Sequence, residues 1–312
     1  MILIVHIILL TLKMKPVKQI KITKNMKVND LIKEMNNTGV FGSGRLAKAA
    51  IITKKMINDK QCKVFLGAAG ALVPGGMRNI LIDMLEKKYI DVFVTTGAIL
   101  THDLVEALGF KHYQGKKDVD DNKLFKKGID RIYESFMPNK VYEALEDFFK
   151  KNYNKLKDKE NIKDFLWELG KLAKKKSILN TCYKKKIPIF CPGIADSGIG
   201  LMIWGNLAKG KRCNVKAFDD LKEILDIAWT SKKSGVIYLG GGVPKNYIQQ
   251  AMQFSKGASY GVQITMDRPE PGGSSGAELR EGISWGKLNK KAEFVNLICD
   301  ITIALPIIYA SI

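Results

Sequence analysis

The lysine at position 287 stands in a sequence context that could turn its amine into a nucleophile. It closes the run Ser284-Trp-Gly-Lys287, which places an indole and a glycine directly beside it. A lysine amine attacks carbon only after losing its proton, and an apolar, tightly packed neighbourhood favours that loss. The run predicts covalent amine chemistry at Lys287. The alternative is an ordinary surface lysine, which is the usual place for a lysine in a chain with 51 lysines and arginines.

Two residues near Lys287 could bind a positively charged amine. Trp285 offers an aromatic face to an ammonium group, and Glu281 offers a countercharge. Trp285 could instead pack in a core. Glu281 could be a plain surface carboxylate, and the neighbouring Glu278 competes with it for the role.

The composition of the chain narrows the function classes. A formal charge of +20 would suit a nucleic-acid or membrane-surface partner, yet only six of the positive residues are arginines and the lysines are scattered along the chain. We therefore expect a solvated surface, with no direct nucleic-acid partner and no membrane partner. Five widely spaced cysteines predict reduced thiols in a cytoplasmic protein. Three dispersed histidines predict no metal site.

Strands and helices alternate along most of the chain. The predicted strands are 63–67, 91–96, 187–191, 235–239, 261–265 and 297–303, and a helix follows most of them. We expect a loop at Gly97–His102 and a helix from Asp103 that stops at Gly109. Residues 111–185 are predicted to be mostly helical, including 141–151 and 162–176. The glycines of 38–45 predict a turn between two helices rather than a phosphate cradle, because no strand leads into them.

This alternation predicts an α/β fold with a mostly parallel sheet flanked by helices, Rossmann-like, with an added helical layer. Ligands bind such sheets at the carboxyl ends of the strands. Glycine, threonine and aspartate follow five of the predicted strands, which favours a nucleotide with a pyrophosphate. No G-x-G-x-x-G follows a strand, so the residues alone leave a dinucleotide and other ligands about equally favoured.

Residues 1–13 are distinct from the predicted α/β domain. Residues 1–13 are almost wholly apolar, but they are too short to span a bilayer and precede no cleavage site. We interpret them as an extension from a mis-assigned start codon, spurious or disordered, with a short extra strand or helix as the alternative. Residues 14–312 are then a single α/β domain.

Four motifs in this order resemble the deoxyhypusine synthase family, in its archaeal branch. They are Val94-Thr-Thr-Gly, Leu239-Gly-Gly-Gly-Val-Pro-Lys245, Ser275-Gly-Ala and Ser284-Trp-Gly-Lys287, and the likeness runs from about Asn37 to the C-terminus. The resemblance implies a cytoplasmic, NAD-dependent homotetramer with active sites between subunits. It also implies transfer of the aminobutyl group of spermidine, through an imine on Lys287, to one lysine of the translation factor 5A precursor.

The resemblance also implies the other site residues. For NAD these are Gly70, Ala71, Leu72, Val73, Pro74, Thr96, Gly97, Ala98, Asp196, Met266, Asp267, Asp300 and Ile301. For the amine they are Glu281, Trp285, Asn246, Ser274 and His102. Carboxylates at strand ends suit ribose hydroxyls. Asp300 could equally be a capping aspartate.

The chain departs from the eukaryotic members of this family at four positions. Leu201 replaces an acid, Asn246 a histidine, Ser274 an aspartate and His102 a glutamate. Loss of anionic partners should reshape the recognition of a cationic amine. The alternative function is therefore a related aminobutyl transferase that uses agmatine or putrescine as donor or acceptor, as in homospermidine synthesis. A basic protein that binds RNA without catalysis is the more distant alternative, and it predicts strongly salt-dependent binding.

Overall fold

The computed structural model describes residues 15–312, and the predicted boundary at residue 14 lies outside this range. Within the range, the strands are β1 (Cys62–Ala68), β2 (Val92–Thr95), β3 (Tyr113–Gln114), β4 (Ile129–Ile132), β5 (Ser135–Pro138), β6 (Ile189–Phe190), β7 (Lys233–Leu239), β8 (Ala258–Thr265) and β9 (Leu288–Ile298). The helices are α1 (Val28–Thr38), α2 (Phe41–Asn58), α3 (Arg78–Glu86), α4 (Gly97–Ala107), α5 (Asp121–Lys126), α6 (Val141–Leu156), α7 (Ile162–Ala173), α8 (Ile178–Lys185), α9 (Gly198–Leu207), α10 (Phe218–Thr230), α11 (Gly242–Gln253) and α12 (Ile301–Ala310).

Six strands form one parallel sheet in the order β6-β2-β1-β7-β8-β9. Side chains alternate between its two faces, so in β1 Val64 and Leu66 join one buried cluster while Phe65 joins the other. Helices cover both faces, which is why the central strands are buried almost throughout. The predicted α/β class with a parallel sheet between helices is confirmed.

The predicted loop at Gly97–His102 is wrong, because α4 already begins at Gly97. Thr96 caps this helix, its hydroxyl accepting a hydrogen bond from the amide of Ile99 at 3.4 Å. Gly97 packs so closely on the next loop that an added Cβ would lie 2.5 Å from the Cβ of Ser197. His102 therefore lies on a helix.

The predicted strand at 297–303 also needs correction. β9 begins at Leu288 and ends at Ile298, and residues 301–303 belong to α12. The carboxylate of Asp300 accepts hydrogen bonds from the amide of Thr302 at 2.7 Å and from its hydroxyl at 2.8 Å. An aspartate that caps a helix in this way ends the strand before it.

The region 111–185 is mostly helical, as predicted, but it also contains an unpredicted antiparallel sheet in the order β3-β5-β4. The turn between the first two helices is confirmed, and it is shorter than 38–45 because Gly42 and Gly44 lie inside α2. None of the helices in residues 15–312 combines the length and the apolar character needed to cross a membrane.

The contact between α7 and α8 provides a test of this packing. An added Cβ at Gly170 would overlap the backbone carbonyl of Leu179, whereas one at Gly42 would meet open space. We expect Gly170→Ala to lower the free energy of unfolding by about 1–3 kcal/mol. Gly42→Ala should leave it unchanged or raise it by up to about 1 kcal/mol. Urea denaturation of both variants measures the difference, and equal stabilities would contradict the packing.

Candidate active site

A cavity of about 440 Å³ opens at the carboxyl edge of the parallel sheet, between the loops that follow β1, β7, β8 and β9. Of the residues predicted to contact NAD, it is lined by Gly70, Ala71, Leu72, Met266, Asp267, Asp300 and Ile301. The structure thus brings together residues that are more than 200 positions apart in the chain. Gly240, Gly241, Gly242 and Ser275 complete the lining, and we had not predicted them as cofactor contacts.

Glycines give this cavity its shape. Gly70 has φ +84° and open space where a side chain would be, so a ligand can approach its backbone directly. A Cβ at Gly241 would overlap the backbone of Ser275, whose hydroxyl accepts a hydrogen bond from the amide of Gly242 at 2.8 Å. Backbone amides exposed in glycine turns are the groups that bind phosphate oxygens. The lining therefore fits a pyrophosphate-bearing cofactor.

Two carboxylates at the rim of the cavity, those of Asp300 and Asp267, differ in their hydrogen bonds. Asp300 both lines the cavity and caps α12, so the capping role is observed and the contact with ribose stays a prediction. Asp267 is exposed, and within residues 15–312 its carboxylate makes no hydrogen bond or ion pair. It can accept hydrogen bonds from ribose hydroxyls.

The remaining predicted NAD residues continue along the same edge of the sheet, outside the cavity. Thr96, Gly97 and Ala98 begin α4 directly after β2, and Asp196 lies in the turn after β6. Val73 is buried, and the carbonyl of Pro74 accepts a hydrogen bond from the hydroxyl of Ser135 at 3.2 Å. All of them lie near the carboxyl ends of β1, β2 and β6.

Lys287 follows a 3₁₀ helix, Leu279–Ile283, whose first turn is closed by reciprocal hydrogen bonds between Glu278 and Glu281. Its amide donates to the carbonyl of Gly282 at 2.8 Å. The ammonium lies 4.9 Å from the centre of the Trp285 ring, within cation–π range. Trp285 is 62% exposed, which excludes the core-packing alternative within one chain. The expected tight burial of Lys287 is absent too, because its side chain is only half-buried.

The backbone of Lys287 and the cavity lie at opposite ends of β8. Leu288 pairs with Ala258 at the amino end of β8, whereas Met266 and Asp267 follow Thr265 at the carboxyl end. The eight residues of β8 span about 23 Å. The Lys245 ammonium lies between these ends, since the charges of both Lys287 and Asp267 act on it.

Comparison with known proteins identifies the family. The family model for deoxyhypusine synthase matches residues 30–312. The chain is 44% identical over 300 residues to "Probable deoxyhypusine synthase 1" of Methanosarcina mazei, covering 95% of this chain and 94% of that protein. It is 40% identical over 291 residues to the protein of the same name from Archaeoglobus fulgidus, covering 93% and 95%. The chain belongs to the deoxyhypusine synthase family.

A solved structure shares the fold of this deoxyhypusine synthase family member. It is the crystal structure of a proposed deoxyhypusine synthase from Entamoeba histolytica, with a TM-score of 0.63 and 20% identity over 95% of this chain and 96% of that one. Deoxyhypusine synthases are transferases, so the chain is an enzyme of that class. The resemblance drawn from the four sequence motifs is confirmed.

Lys245 is a buried lysine beside the candidate site that sequence reasoning missed, although it ends one of the family motifs. Its side chain is buried, and its ammonium donates to the carbonyls of Ser274 at 2.7 Å and Ala277 at 2.6 Å. Burial lowers the pKa of Lys245 to about 8; Glu281 opposes this shift and the charge of Lys287 adds to it. Lys245 thus anchors the segment that leads from the cavity to Lys287.

The predicted amine-binding residues separate into two groups. Asn246 follows Lys245 on α11, Ser274 accepts a hydrogen bond from Lys245, the charges of Glu281 and Lys287 act on Lys245, and Trp285 lies beside Lys287. His102 lies on α4 after β2, and β1 and β7 stand between β2 and β8. Three strand spacings put these groups about 14 Å apart across the sheet. One chain therefore does not bring His102 to Lys287.

The buried ammonium of Lys245 predicts a particular dependence of stability on pH. Its folded pKa of about 8 lies below the ordinary value of 10.5, so the unfolded chain binds more protons between these pH values. Burial of the charged ammonium destabilises the fold fully below pH 8, and this destabilisation decreases as the pH rises towards 10.5. Over this range the free energy of unfolding of the wild type should rise by up to about 3 kcal/mol relative to that of Lys245→Met. Urea denaturation at several pH values measures this gain, and a constant difference would contradict it.

Proposed function

We propose that the chain transfers the aminobutyl group of spermidine to one lysine of the archaeal translation factor 5A precursor, with NAD as cofactor. Membership of the family supports the reaction class. The observation that carries the proposal is the half-buried Lys287, whose ammonium lies over the exposed ring of Trp285. A lysine in this position can capture an imine carbon, and the ring remains free to hold a second cationic group.

Different residues of the chain bind the amine, attack the imine carbon and bind the cofactor. Trp285 and Glu281 bind the ammonium groups of the amine, and Lys287 attacks the imine carbon and carries the aminobutyl group until the acceptor lysine displaces it. Glycines 70 and 240–242 hold the pyrophosphate of the cofactor, while Asp267 and Asp300 accept hydrogen bonds from ribose. When bound, NAD supplies the oxidation of the amine and the later reduction of the new imine.

We further propose that each active site is shared by two chains of a homotetramer. The carbon that Lys287 attacks must also lie against the cofactor, but in one chain the backbone of Lys287 lies at the amino end of β8 and the cavity at its carboxyl end, and β8 is about 23 Å long. A second copy can place its Lys287 and Trp285 at the cofactor edge of the first. The exposure of Trp285 in the single chain agrees with such a contact. All five cysteines are free of disulfide bonds, as is usual in reducing compartments, and this supports a cytoplasmic location.

A different amine donor remains the second candidate. Leu201 is 54% exposed on α9, where it lines an apolar cavity of about 580 Å³ instead of presenting the acid found in eukaryotic members. A less acidic site binds a triply charged amine less tightly. Agmatine or putrescine, as donor or acceptor, is therefore the alternative to spermidine.

Substitution of Lys287 tests the proposal. We expect Lys287→Ala to abolish aminobutyl transfer while cofactor binding persists, because Lys287 is not among the residues that line the cavity. Lys290→Ala, which removes an exposed lysine of β9, should leave transfer unchanged. The measurement incubates enzyme, NAD and translation factor with labelled spermidine or agmatine, with a borohydride trap for the adduct on Lys287.

The outcomes separate the alternatives. Transfer of label from spermidine to the translation factor supports the main proposal. Transfer of label from agmatine, or transfer of label to putrescine in place of the factor, supports the second candidate. Full transfer by Lys287→Ala would reject both.

A further inference from the structure

Three side chains beside the cofactor edge form a continuous row of hydrogen bonds, here called the relay: His102, His112 and Glu106. Nδ1 of His102 lies 2.9 Å from Nε2 of His112, and Nδ1 of His112 lies 2.9 Å from Oε1 of Glu106. The two rings meet edge to face with their centroids 4.9 Å apart. Only His102 was expected to matter from sequence. In residues 15–312 no group of three such side chains has the arrangement of a metal site.

Arg78 is the cationic side chain that stands beside Glu106. Nε of Arg78, at the start of α3, lies 3.7 Å from Oε2 of Glu106 and 2.8 Å from Oδ1 of Asp103. Asp103 is fully buried, and its carboxylate also accepts hydrogen bonds from the amides of Ile178 and Leu179 at 3.0 Å each. Arg78 from α3 and Asp103 from α4 are thus charged groups beside the relay. A carboxylate at Glu106 accepts hydrogen bonds and donates none.

This arrangement determines where the protons of the two rings lie. Glu106 accepts from Nδ1–H of His112, which leaves a lone pair at Nε2 of a neutral His112. That lone pair accepts from Nδ1–H of His102. Burial lowers the pKa of His102 to about 4, and the neighbouring His112 lowers it too, so near neutral pH His102 is uncharged. Its Nε2 then carries a lone pair, and within residues 15–312 no group hydrogen-bonds to it.

His102 stands where a ligand at the cofactor edge can reach it. It follows Ala98 by four residues, which places both on one face of α4. Ala98 is exposed in the first turn of that helix, directly after the carboxyl end of β2, and His102 is only partly buried. An ammonium nitrogen there meets a neutral lone pair, whereas a carboxylate at the same position would hold the ammonium without removing its proton.

We propose that the relay removes a proton from an ammonium nitrogen of the amine donor, an inference that rests on the proposed function. An amine must lose this proton before its neighbouring carbon can become an imine. The N–H bond of the ammonium breaks and a bond to Nε2 of His102 forms. The proton on Nδ1 of His102 passes to Nε2 of His112, and the positive charge comes to rest on His112 beside the Glu106 carboxylate. His102 is then neutral and carries its proton on Nε2. The relay is reset when Nε2 of His112 returns its proton to Nδ1 of His102 and the proton on Nε2 of His102 leaves to solvent.

Two substitutions in the full-length enzyme test the relay, with kcat/KM for transfer from labelled spermidine and agmatine measured across pH. His102→Ala should lower kcat/KM by about 10²–10⁴-fold, and added imidazole should restore part of it, because a free base can replace the missing one. Glu106→Gln keeps the shape of the side chain but removes the charge that stabilises protonated His112. Its acid limb should therefore move to lower pH and its maximum should fall. Glu143→Gln, at an exposed position of α6, is the matched control and should match the wild type.

Each result of these measurements either supports or rejects the relay. Imidazole rescue together with the shifted acid limb supports the relay. If imidazole fails to raise the activity of His102→Ala, or if Glu106→Gln keeps the wild-type pH profile while circular dichroism shows a folded enzyme, the relay is rejected and transfer by the wild type still stands. If the wild type transfers from neither amine, the proposed function itself fails, and the relay's role fails with it.

Discussion

The parallel arrangement of the six-stranded sheet is the constraint on which the rest of the structure depends. Because all six strands run the same way, every loop that leaves a strand emerges at one edge, and these loops build the glycine-lined cavity. Because β9 is parallel to β8, the segment between them must run back to the opposite edge of the sheet before β9 begins. Lys287 is the last residue of that segment. The fold that creates the edge with the cavity thus places the backbone of Lys287 at the other edge.

Much of this arrangement could be predicted from the sequence, because the signals are local. The apolar residues within 63–67 indicated a strand, and the glycines, threonines and aspartates after the predicted strands indicated a ligand at the carboxyl edge of the sheet. The Ser284-Trp-Gly-Lys287 motif indicated the family, which the comparisons confirm. Parallel pairing then brings Gly70, Asp267 and Asp300 to one cavity.

Other features depend on contacts between distant residues and left no local signal. The cap from Asp300 ended β9 earlier than its apolar sequence indicated. Lys245 resembled any other lysine until Ser274 and Ala277 were folded around its ammonium. The pairing of His102 with His112 needs the chain to turn back after α4, which two isolated histidines do not reveal. Burial and partner geometry, which make these residues chemically distinctive, arise only in the tertiary structure.

The proposal that two chains share each site can be tested by mixing two inactive variants. Lys287→Ala lacks the lysine, and Asp267→Arg fills the exposed rim of the cavity with a long side chain. If lysine and cavity come from different chains, refolding the two together should restore up to about a quarter of wild-type transfer, because one site of each mixed pair is intact. If mixed oligomers form but transfer stays absent, Lys287 and the cavity must work within one chain, and the account is contradicted.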